Sequence, residues 1–401
     1  MSLTGTPSAE RTHIAFFGRR NAGKSSLVNA VTGQDLAVVS DVAGTTTDPV
    51  RKSMELLPLG PVVIIDTPGL DDDGALGALR VRKTRQIMNS ADLSVVVLDA
   101  AEGMGETEEQ LCRTLVEKEI PFLIVCNKCD LTMPEEALRR GWLCVSALTG
   151  EGIHELKEEI ARLAAAEKEE KTLIGDLVRD RDTVVLVCPI DGSAPKGRLI
   201  LPQTLAIRDL LDHGAMPLVC RDTELPSALG ALAGKPAMVV TDSQAFSHVN
   251  AVVPEDVPLT SFSILMARYK GFLAAAAKGV RAIRNLKDGD TVLMAEGCTH
   301  HRQCADIGTV KIPNWLRHYT DADIRIETSS GTDFPEDLRP YAAVIHCGGC
   351  MLNEREVRSR MRAAQDQGVP FTNYGLVIAE MKGILVRSTA LFPDLKESLS
   401  E

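Results

Sequence analysis

Eight residues near the amino terminus, Gly18-Arg19-Arg20-Asn21-Ala22-Gly23-Lys24-Ser25, constrain the fold more than any other segment. They fit G-x-x-x-x-G-K-S and lie between an apolar β-type run, HIAFFG, and a helical run, KSSLVNAV. A glycine-rich turn from strand to helix lets backbone N–H groups curl around phosphates, and the helix that follows adds the positive end of its dipole. Such a turn requires an α/β structure in which a central strand feeds a covering helix.

Four further motifs follow in an order that specifies the nucleotide. Within the phosphate loop, Lys24 is placed to reach the β- and γ-phosphates and the Ser25 hydroxyl to bind Mg²⁺. Ala43-Gly44-Thr45-Thr46-Thr47-Asp48 is a hydroxyl-rich loop, with Thr46 assigned as the second Mg²⁺ ligand and Thr45 and Thr47 as alternatives. Asp66-Thr67-Pro68-Gly69 ends an apolar strand, which puts Asp66 by the metal and the Gly69 N–H by the γ-phosphate. Asn127-Lys128-Cys129-Asp130 selects the base: a carboxylate at Asp130 pairs with the N1–H and 2-amino group of guanine and would be left unpaired by adenine. Ser146-Ala147-Leu148 supplies N–H groups to the guanine O6. The expected GTP-contacting set is Asn21, Ala22, Gly23, Lys24, Ser25, Ser26, Thr46, Asp66, Gly69, Asn127, Lys128, Asp130, Ser146 and Ala147. Lys24, Thr46, Asp66 and Gly69 are placed at the reacting phosphate.

At 401 residues the chain is long enough for two or three domains. Strand-like runs alternate with amphipathic stretches throughout, which predicts α/β organisation in three domains. These are a P-loop GTPase domain with a mostly parallel sheet over 1–170, a small α/β domain over 171–264, and an α/β metal-binding domain over 265–401. The middle domain has few strands, and open sheet edges invite pairing with a second chain, so it is assigned to homodimerisation. No internal repeat is legible. A net charge of −11 argues against a nucleic-acid partner. No apolar run approaches the roughly 20 residues of a membrane span, and MSLTGTPSAERTHIAFFG lacks the layout of a signal peptide. The expected location is the cytoplasm, where ten cysteines do not form a disulfide framework.

Two cysteine groups stand apart. His346-Cys347-Gly348-Gly349-Cys350 follows the run YAAVI, and Cys298, in AEGCTHHRQC, follows TVLM. Parallel strands would bring both to strand carboxyl ends, where open α/β sheets place their ligands. The residues themselves leave three readings open: a [4Fe–4S] cluster on three thiolates, a zinc ion completed by a histidine, or a redox-active pair. Cys304 and His301 read as ordinary side chains, and Cys112, Cys126, Cys129, Cys144, Cys188 and Cys220 as structural thiols. Phe371-Thr372-Asn373-Tyr374-Gly375 predicts a further strand end, with Asn373 and Tyr374 flanking the metal site.

The first domain resembles the tRNA-modification and ribosome-assembly branch of translation-factor-like GTPases, through N-A-G-K-S-S and G-T-T-T-D. That resemblance implies that Asn21 helps to bind K⁺. Leu70 stands where other GTPases carry a water-orienting glutamine, which implies slow, K⁺-stimulated turnover. The whole chain resembles the HydF family of [FeFe]-hydrogenase maturation GTPases, through Cys298-Thr299-His300 followed by His346-Cys347-x-x-Cys350. The resemblance implies a [4Fe–4S] cluster on Cys298, Cys347 and Cys350. For the fourth position, His300 or His346 serves as a ligand or as an orienting neighbour, with Asp191 or an exogenous ligand as alternatives. It also implies a scaffold that takes a diiron precursor as cargo, made with two radical-SAM maturases, and delivers it to apo-[FeFe]-hydrogenase. The competing expectations are an RNA-directed GTPase with a structural zinc, and a redox-regulated GTPase with a Cys347–Cys350 disulfide.

Overall fold

The structure, a computed structural model, describes residues 6–33, 49–69, 77–166, 171–190, 197–297 and 306–399. It divides into two units, residues 1–169 and 170–401.

The first unit holds a six-stranded sheet of β1 (Thr12–Phe17), β2 (Val50–Leu56), β3 (Gly60–Asp66), β4 (Leu93–Asp99), β5 (Phe122–Asn127) and β6 (Leu143–Cys144). Its order is β2-β3-β1-β4-β5-β6, parallel except for the β2–β3 hairpin. Helices α1 (Lys24–Thr32), α2 (Gly77–Ser90), α3 (Glu106–Glu117), α4 (Glu135–Arg140) and α5 (Ile153–Ala166) connect the strands. Parallel strands are covered on both faces and so read as continuous apolar runs. In β1 every residue is buried. Two apolar clusters result, one containing Ile14, Phe16 and Val95, the other Ala15, Phe17 and Val96. Successive residues of one strand thus serve opposite layers. β2 was not expected from sequence. It is an edge strand with Arg51, Lys52, Ser53 and Glu55 exposed, so it carries no apolar signal.

The second unit contains one α/β topology twice. The first copy comprises β7 (Thr183–Val187), α6 (Leu201–Asp212), β8 (Met216–Cys220), α7 (Leu225–Gly230), β9 (Met238–Thr241), α8 (Phe246–Val252) and β10 (Leu259–Ser261), then α9 (Phe262–Tyr269) and α10 (Leu273–Val280). The second comprises β11 (Thr291–Glu296), α11 (Ile312–Thr320), β12 (Arg325–Ser330), β13 (Ala343–His346), α12 (Glu354–Asp366) and β14 (Phe371–Asn373), then α13 (Tyr374–Met381), α14 (Leu385–Thr389) and the short α15 (Leu395–Ser398). Both sheets are fully parallel, with orders β10-β9-β7-β8 and β14-β13-β11-β12, so each strand has a counterpart at the same position.

This corrects the expectation of no repeat. With the strands matched, Thr260, Ala267, Lys270, Gly271 and Leu273 fall on Thr372, Ala379, Lys382, Gly383 and Leu385. Leu201-Pro202-Gln203 falls on Ile312-Pro313-Asn314, and Asp182-Thr183-Val184 on Asp290-Thr291-Val292. The Ser261 hydroxyl caps α9 by accepting from the Ile264 N–H, and the Asn373 carboxamide caps α13 from the Leu376 N–H, at matched positions.

The copies are joined reciprocally. Helix α10 of the first packs on β14 of the second, α14 of the second packs on β10 of the first, and α9 meets α13. One apolar core runs through both, from Leu173 to Leu395. The Thr372 hydroxyl donates to the Ala276 carbonyl at 2.9 Å, and the Arg387 guanidinium donates to the carbonyls of Val253 at 3.0 Å and Pro254 at 2.6 Å. The helical stretch after Ser261 is broken into α9 and α10 at Gly271, whose φ of +71° favours glycine.

At Gly279, in α10, a Cβ would lie 2.2 Å from the Phe371 carbonyl oxygen, so this helix touches β14 backbone to side. We predict that Gly279→Ala lowers the unfolding free energy of the second unit by about 1–3 kcal/mol. A urea titration should show the lower midpoint, with GTP affinity unchanged.

Candidate functional site

Two sites lie at strand carboxyl ends, one in each unit. In the first unit, β1 sits at the point where the chain turns from one side of the sheet to the other, and the phosphate loop leaves its end. Gly18 runs past β4 so closely that a Cβ would meet the Val97 carbonyl oxygen at 2.2 Å. Asn21 and Gly23 take left-handed φ of +60° and +84°, which curls the backbone ahead of α1. Lys24 is buried, and its ammonium donates to the Arg19 carbonyl at 2.7 Å. Ser26 is half-buried on the first turn of α1.

The Ser25 hydroxyl donates to Asp66 Oδ2 at 2.7 Å, bringing together the two groups expected at Mg²⁺. Asp66 Oδ1 is buried and has no hydrogen-bond partner among the described residues. Burial pushes the Asp66 carboxyl above its usual range, against the pull of Ser25 and Lys24. A buried carboxylate oxygen with no donor beside a serine hydroxyl fits a divalent cation. The Thr67 hydroxyl and N–H both donate to the Phe16 carbonyl, at 2.6 and 3.3 Å, tying this loop to β1. A Cβ on Gly69 would lie 3.1 Å from the Arg20 nitrogen, so Gly69 rests against the phosphate loop.

Asn127 joins the phosphate and base elements. Its Nδ2 donates to the Ala22 carbonyl at 3.0 Å, and its Oδ1 accepts from the Ala147 N–H at 3.0 Å. Asp130 is exposed and accepts from the Ser146 hydroxyl at 2.6 Å. Lys128, at a φ of +69°, donates to Asp99 at 2.7 Å. Sequence reading missed Arg19, whose side chain turns away from the phosphate loop. It pairs with the buried carboxylate of Glu108 at 2.6 Å and donates to the Gly103 carbonyl at 2.9 Å. Thr46, with Thr45 and Thr47, lies outside the described residues, as do Leu70, Asp71 and Asp72.

In the second unit, β11 and β13 are neighbours, and the chain reverses its direction across the sheet between them. The expectation that the strands before both cysteine groups are parallel therefore holds, and the fold adds that they are neighbours. Cys298, His300, His301, Cys304 and Asp191 themselves lie outside the described residues. Cys347 is half-buried, and its Sγ accepts from the N–H groups of Gly297 at 3.0 Å and Gly349 at 3.4 Å. Burial pushes the thiol up, and those two donors oppose it. Two N–H groups aimed at one sulfur suit a thiolate that bears charge in a metal complex. Cys350 is half-buried at the edge of the apolar core. Among the described residues alone, no group of three or more His, Cys, Asp or Glu side chains is arranged to hold a metal ion.

His346 is expected to serve either as a ligand or as an orienting neighbour. Its ring is fully buried between Phe272 and Phe371, with centroids at 6.1 and 5.7 Å. Nδ1 lies 2.7 Å from the Cys347 carbonyl and Nε2 3.4 Å from Arg360 Nη1. Both nitrogens are engaged inside the fold, the arrangement of an orienting neighbour. Burial and the Arg360 charge depress its pKa to about 3, so the ring is neutral. β14 lies beside β13, with Asn373 opposite His346, and the Tyr374 hydroxyl donates to buried Glu296 at 3.5 Å. Glu296, two residues before Cys298, was not singled out from sequence because a lone glutamate at a strand end carries no motif.

Family comparison identifies both units. Residues 173–271 match the hydrogen maturase F dimerization domain, and residues 274–391 match its tetramerization domain. Together these span more than half of the chain. The chain belongs to the hydrogen maturase F family. Residues 13–128 match the 50S ribosome-binding GTPase family. Among curated relatives, tRNA modification GTPase MnmE of Aquifex aeolicus (strain VF5) is 34% identical over 180 residues, covering 44% of this chain and 40% of that protein. The MnmE of Xanthomonas oryzae pv. oryzae (strain PXO99A) is 38% identical over 157 residues, covering 38% of this chain and 34% of that protein. The chain thus spans well under half the length of these relatives. Solved structures with local similarity include Era of Aquifex aeolicus bound to GDP and AlF4⁻ (18% identity, TM-score 0.34, 55% of this chain and 98% of that one). The G domain of T. maritima FeoB is another (26% identity, TM-score 0.30, 39% of this chain and 99% of that one).

We predict that Asn127→Ala, which removes both links between phosphate and base loops, weakens GTP binding about 30-fold or more, as for two buried hydrogen bonds. A titration with a fluorescent guanine nucleotide measures it.

Proposed function

We propose that this hydrogen maturase F family member is a GTP-hydrolysing iron–sulfur scaffold that accepts the diiron precursor of the hydrogenase active site and delivers it to apo-[FeFe]-hydrogenase. The observation that carries the nucleotide part is Ser25 and Asp66 in contact, with a partnerless carboxylate oxygen, at the mouth of a phosphate loop. When bound, Mg²⁺ supplies charge neutralisation for the phosphates, held by Ser25 and Asp66, with Thr46 as the second expected hydroxyl ligand. Lys24 adds its charge from the first turn of α1, and Gly69 offers its N–H toward the γ-phosphate. Asn127 holds the loops in register, while Asp130, set by Ser146, takes guanine through its N1–H and 2-amino group. Asn21, exposed and left-handed, is assigned to K⁺, with slow turnover that K⁺ stimulates.

Support for the cluster comes from Cys347, cradled by two N–H donors at the switch point of its sheet. Cys347 and Cys350 would hold a [4Fe–4S] cluster with Cys298. The fourth position would belong to His300, His346, Asp191 or an exogenous group, and the engaged nitrogens of His346 favour its role as an orienting neighbour. The bound cluster would supply an iron open to cargo. Functionally the chain is divided into a GTPase part (1–170), an association part (171–264) and a cluster part (265–401). Its partners would be two radical-SAM maturases and apo-hydrogenase in the cytoplasm. Among the described residues no helix is long and apolar enough to cross a membrane.

Self-association follows from the family of residues 173–391, and the geometry supports β8 as one pairing edge. Among the described residues β8 has a neighbour on one side only, and Met216 and Val219 are 52% and 43% exposed. Met216 donates to the Asp182 carbonyl and Cys220 accepts from the Cys188 N–H, both toward β7. The intervening Val219 therefore turns its N–H and carbonyl outward. A second copy related by a twofold axis at Val219 would satisfy both.

We predict that Val219→Lys, which sets two like charges at that axis, lowers the mass seen by light scattering to a smaller assembly while GTP affinity stays unchanged. An unaltered mass would exclude the β8 edge. For the cluster, anaerobically reconstituted protein should hold about four iron and four sulfide per chain, and a Cys298→Ser/Cys347→Ser/Cys350→Ser variant none. One zinc without sulfide would instead make the cysteines a structural staple.

A further inference from the structure

The cluster reading leaves unexplained a charged group buried in the wall behind the cysteine loop. Arg360, in α12, is 2% exposed, and Glu356, one turn earlier, is 5% exposed. Arg360 donates from Nε at 3.1 Å and from Nη2 at 2.9 Å to Glu356 Oε1, and again from Nη2 to the Gly331 carbonyl at 2.5 Å. The ring of Phe334 lies 5.0 Å from its guanidinium carbon. Its remaining nitrogen, Nη1, faces His346 Nε2. A buried ion pair is weak evidence of stabilisation, because desolvation offsets most of its attraction. Its value here lies in what the third face of the guanidinium does.

A guanidinium can only donate. Facing Arg360, His346 Nε2 is therefore the acceptor, which leaves the ring proton on Nδ1. That proton points at the Cys347 carbonyl, 2.7 Å away. A carbonyl can only accept, so the Cys347 contact and the Arg360 contact call for the same Nδ1–H tautomer. The Cys347 peptide is then held from both ends: its N–H donates to the Ala295 carbonyl at 2.9 Å, and its C=O accepts from His346. Between these anchors the side chain meets the Gly297 and Gly349 N–H groups. Gly349 sits at φ +68°, and a Cβ there would lie 2.9 Å from Val357 of α12. The loop has little room to be placed otherwise.

We propose that Arg360, held by Glu356, is a positioning residue that acts through the Nδ1–H of His346 to present the Cys347 sulfur to its ligand. The inference rests on the cluster reading for what is presented, but the relay itself is testable in metal-free protein.

The test is a double-mutant cycle between Arg360→Lys and His346→Asn in the full chain. Lysine keeps the charge beside Glu356 and loses the reach to His346. Asparagine keeps a donor in the place of Nδ1–H and needs no arginine to set it. In metal-free protein, the rate of iodoacetamide labelling at Cys347, read by peptide mass spectrometry against Cys350, should rise about fivefold with Arg360→Lys, as for one lost hydrogen bond. On the His346→Asn background, Arg360→Lys should add nothing. In reconstituted protein, Arg360→Lys should shift the EPR g-values and midpoint potential of the cluster and leave the GTPase rate unchanged. Equal labelling effects on both backgrounds, or no effect on either, would leave Arg360 a core ion pair and overturn the relay. Should Arg360→Lys fail to fold, the neutral pair Glu356→Gln/Arg360→Gln takes its place with the same expected outcomes. If wild-type protein binds no iron, the cluster reading fails, while the labelling cycle still decides the relay.

Discussion

Parallel strand pairing governs this chain. All three sheets are parallel apart from the β2–β3 hairpin, so strands cannot be joined by tight turns and each crossover needs a covering segment. The crossovers bury both faces and carry every strand-to-helix loop to one edge. The phosphate loop, Asp66-Thr67-Pro68-Gly69, the base-selecting loop and Ser146-Ala147 all leave carboxyl ends of one sheet. The Gly297 turn and the cysteine loop leave those of another. Asn127 shows what this convergence achieves: one carboxamide reaches residues from two other loops, Ala22 and Ala147, because all three lie along the same edge.

In the second unit the same topology occurs twice, and the exchange of α10 and α14 ties the copies together. The last strand of each copy, β10 or β14, is covered in part by a helix of the other. The two family regions, 173–271 and 274–391, therefore share one core rather than forming beads on a string. His346 lies where the copies meet, with Phe272 from the first and Phe371 from the second against its ring. The loop that carries Cys347 is thus referenced to both copies at once.

Most of the nucleotide site was legible because its motifs name backbone geometries that few other residues satisfy. The strands of the large sheet were legible because burial on both faces makes them continuous apolar runs. What was not legible shares a cause: the sequence does not state which long-range partner a side chain will find. Arg19 reads as a phosphate-loop arginine, yet Glu108 of α3 takes it. His346 reads as a ligand or an orienting neighbour because it adjoins Cys347, and only the fold shows that Arg360 and the Cys347 carbonyl take its two nitrogens. The repeat escaped notice because its two halves keep topology and cap positions while their faces differ. Only short segments such as Lys270-Gly271 and Lys382-Gly383 stay matched.

The matched positions show how the two copies differ at the end of this strand. β9 and β13 occupy the same place, so Thr241-Asp242 of the first copy corresponds to His346-Cys347 of the second. In the first copy the position of the buried imidazole holds a small hydroxyl side chain, and Asp242 turns its carboxylate to the Gln244 N–H to start the next helical turn. In the second, the larger imidazole needs a partner for Nε2, and α12 supplies Arg360 with its own counter-ion, Glu356. The charge buried in α12 is intelligible only from the loop it serves. A helix covering β13 for packing alone would place apolar side chains there, at no desolvation cost.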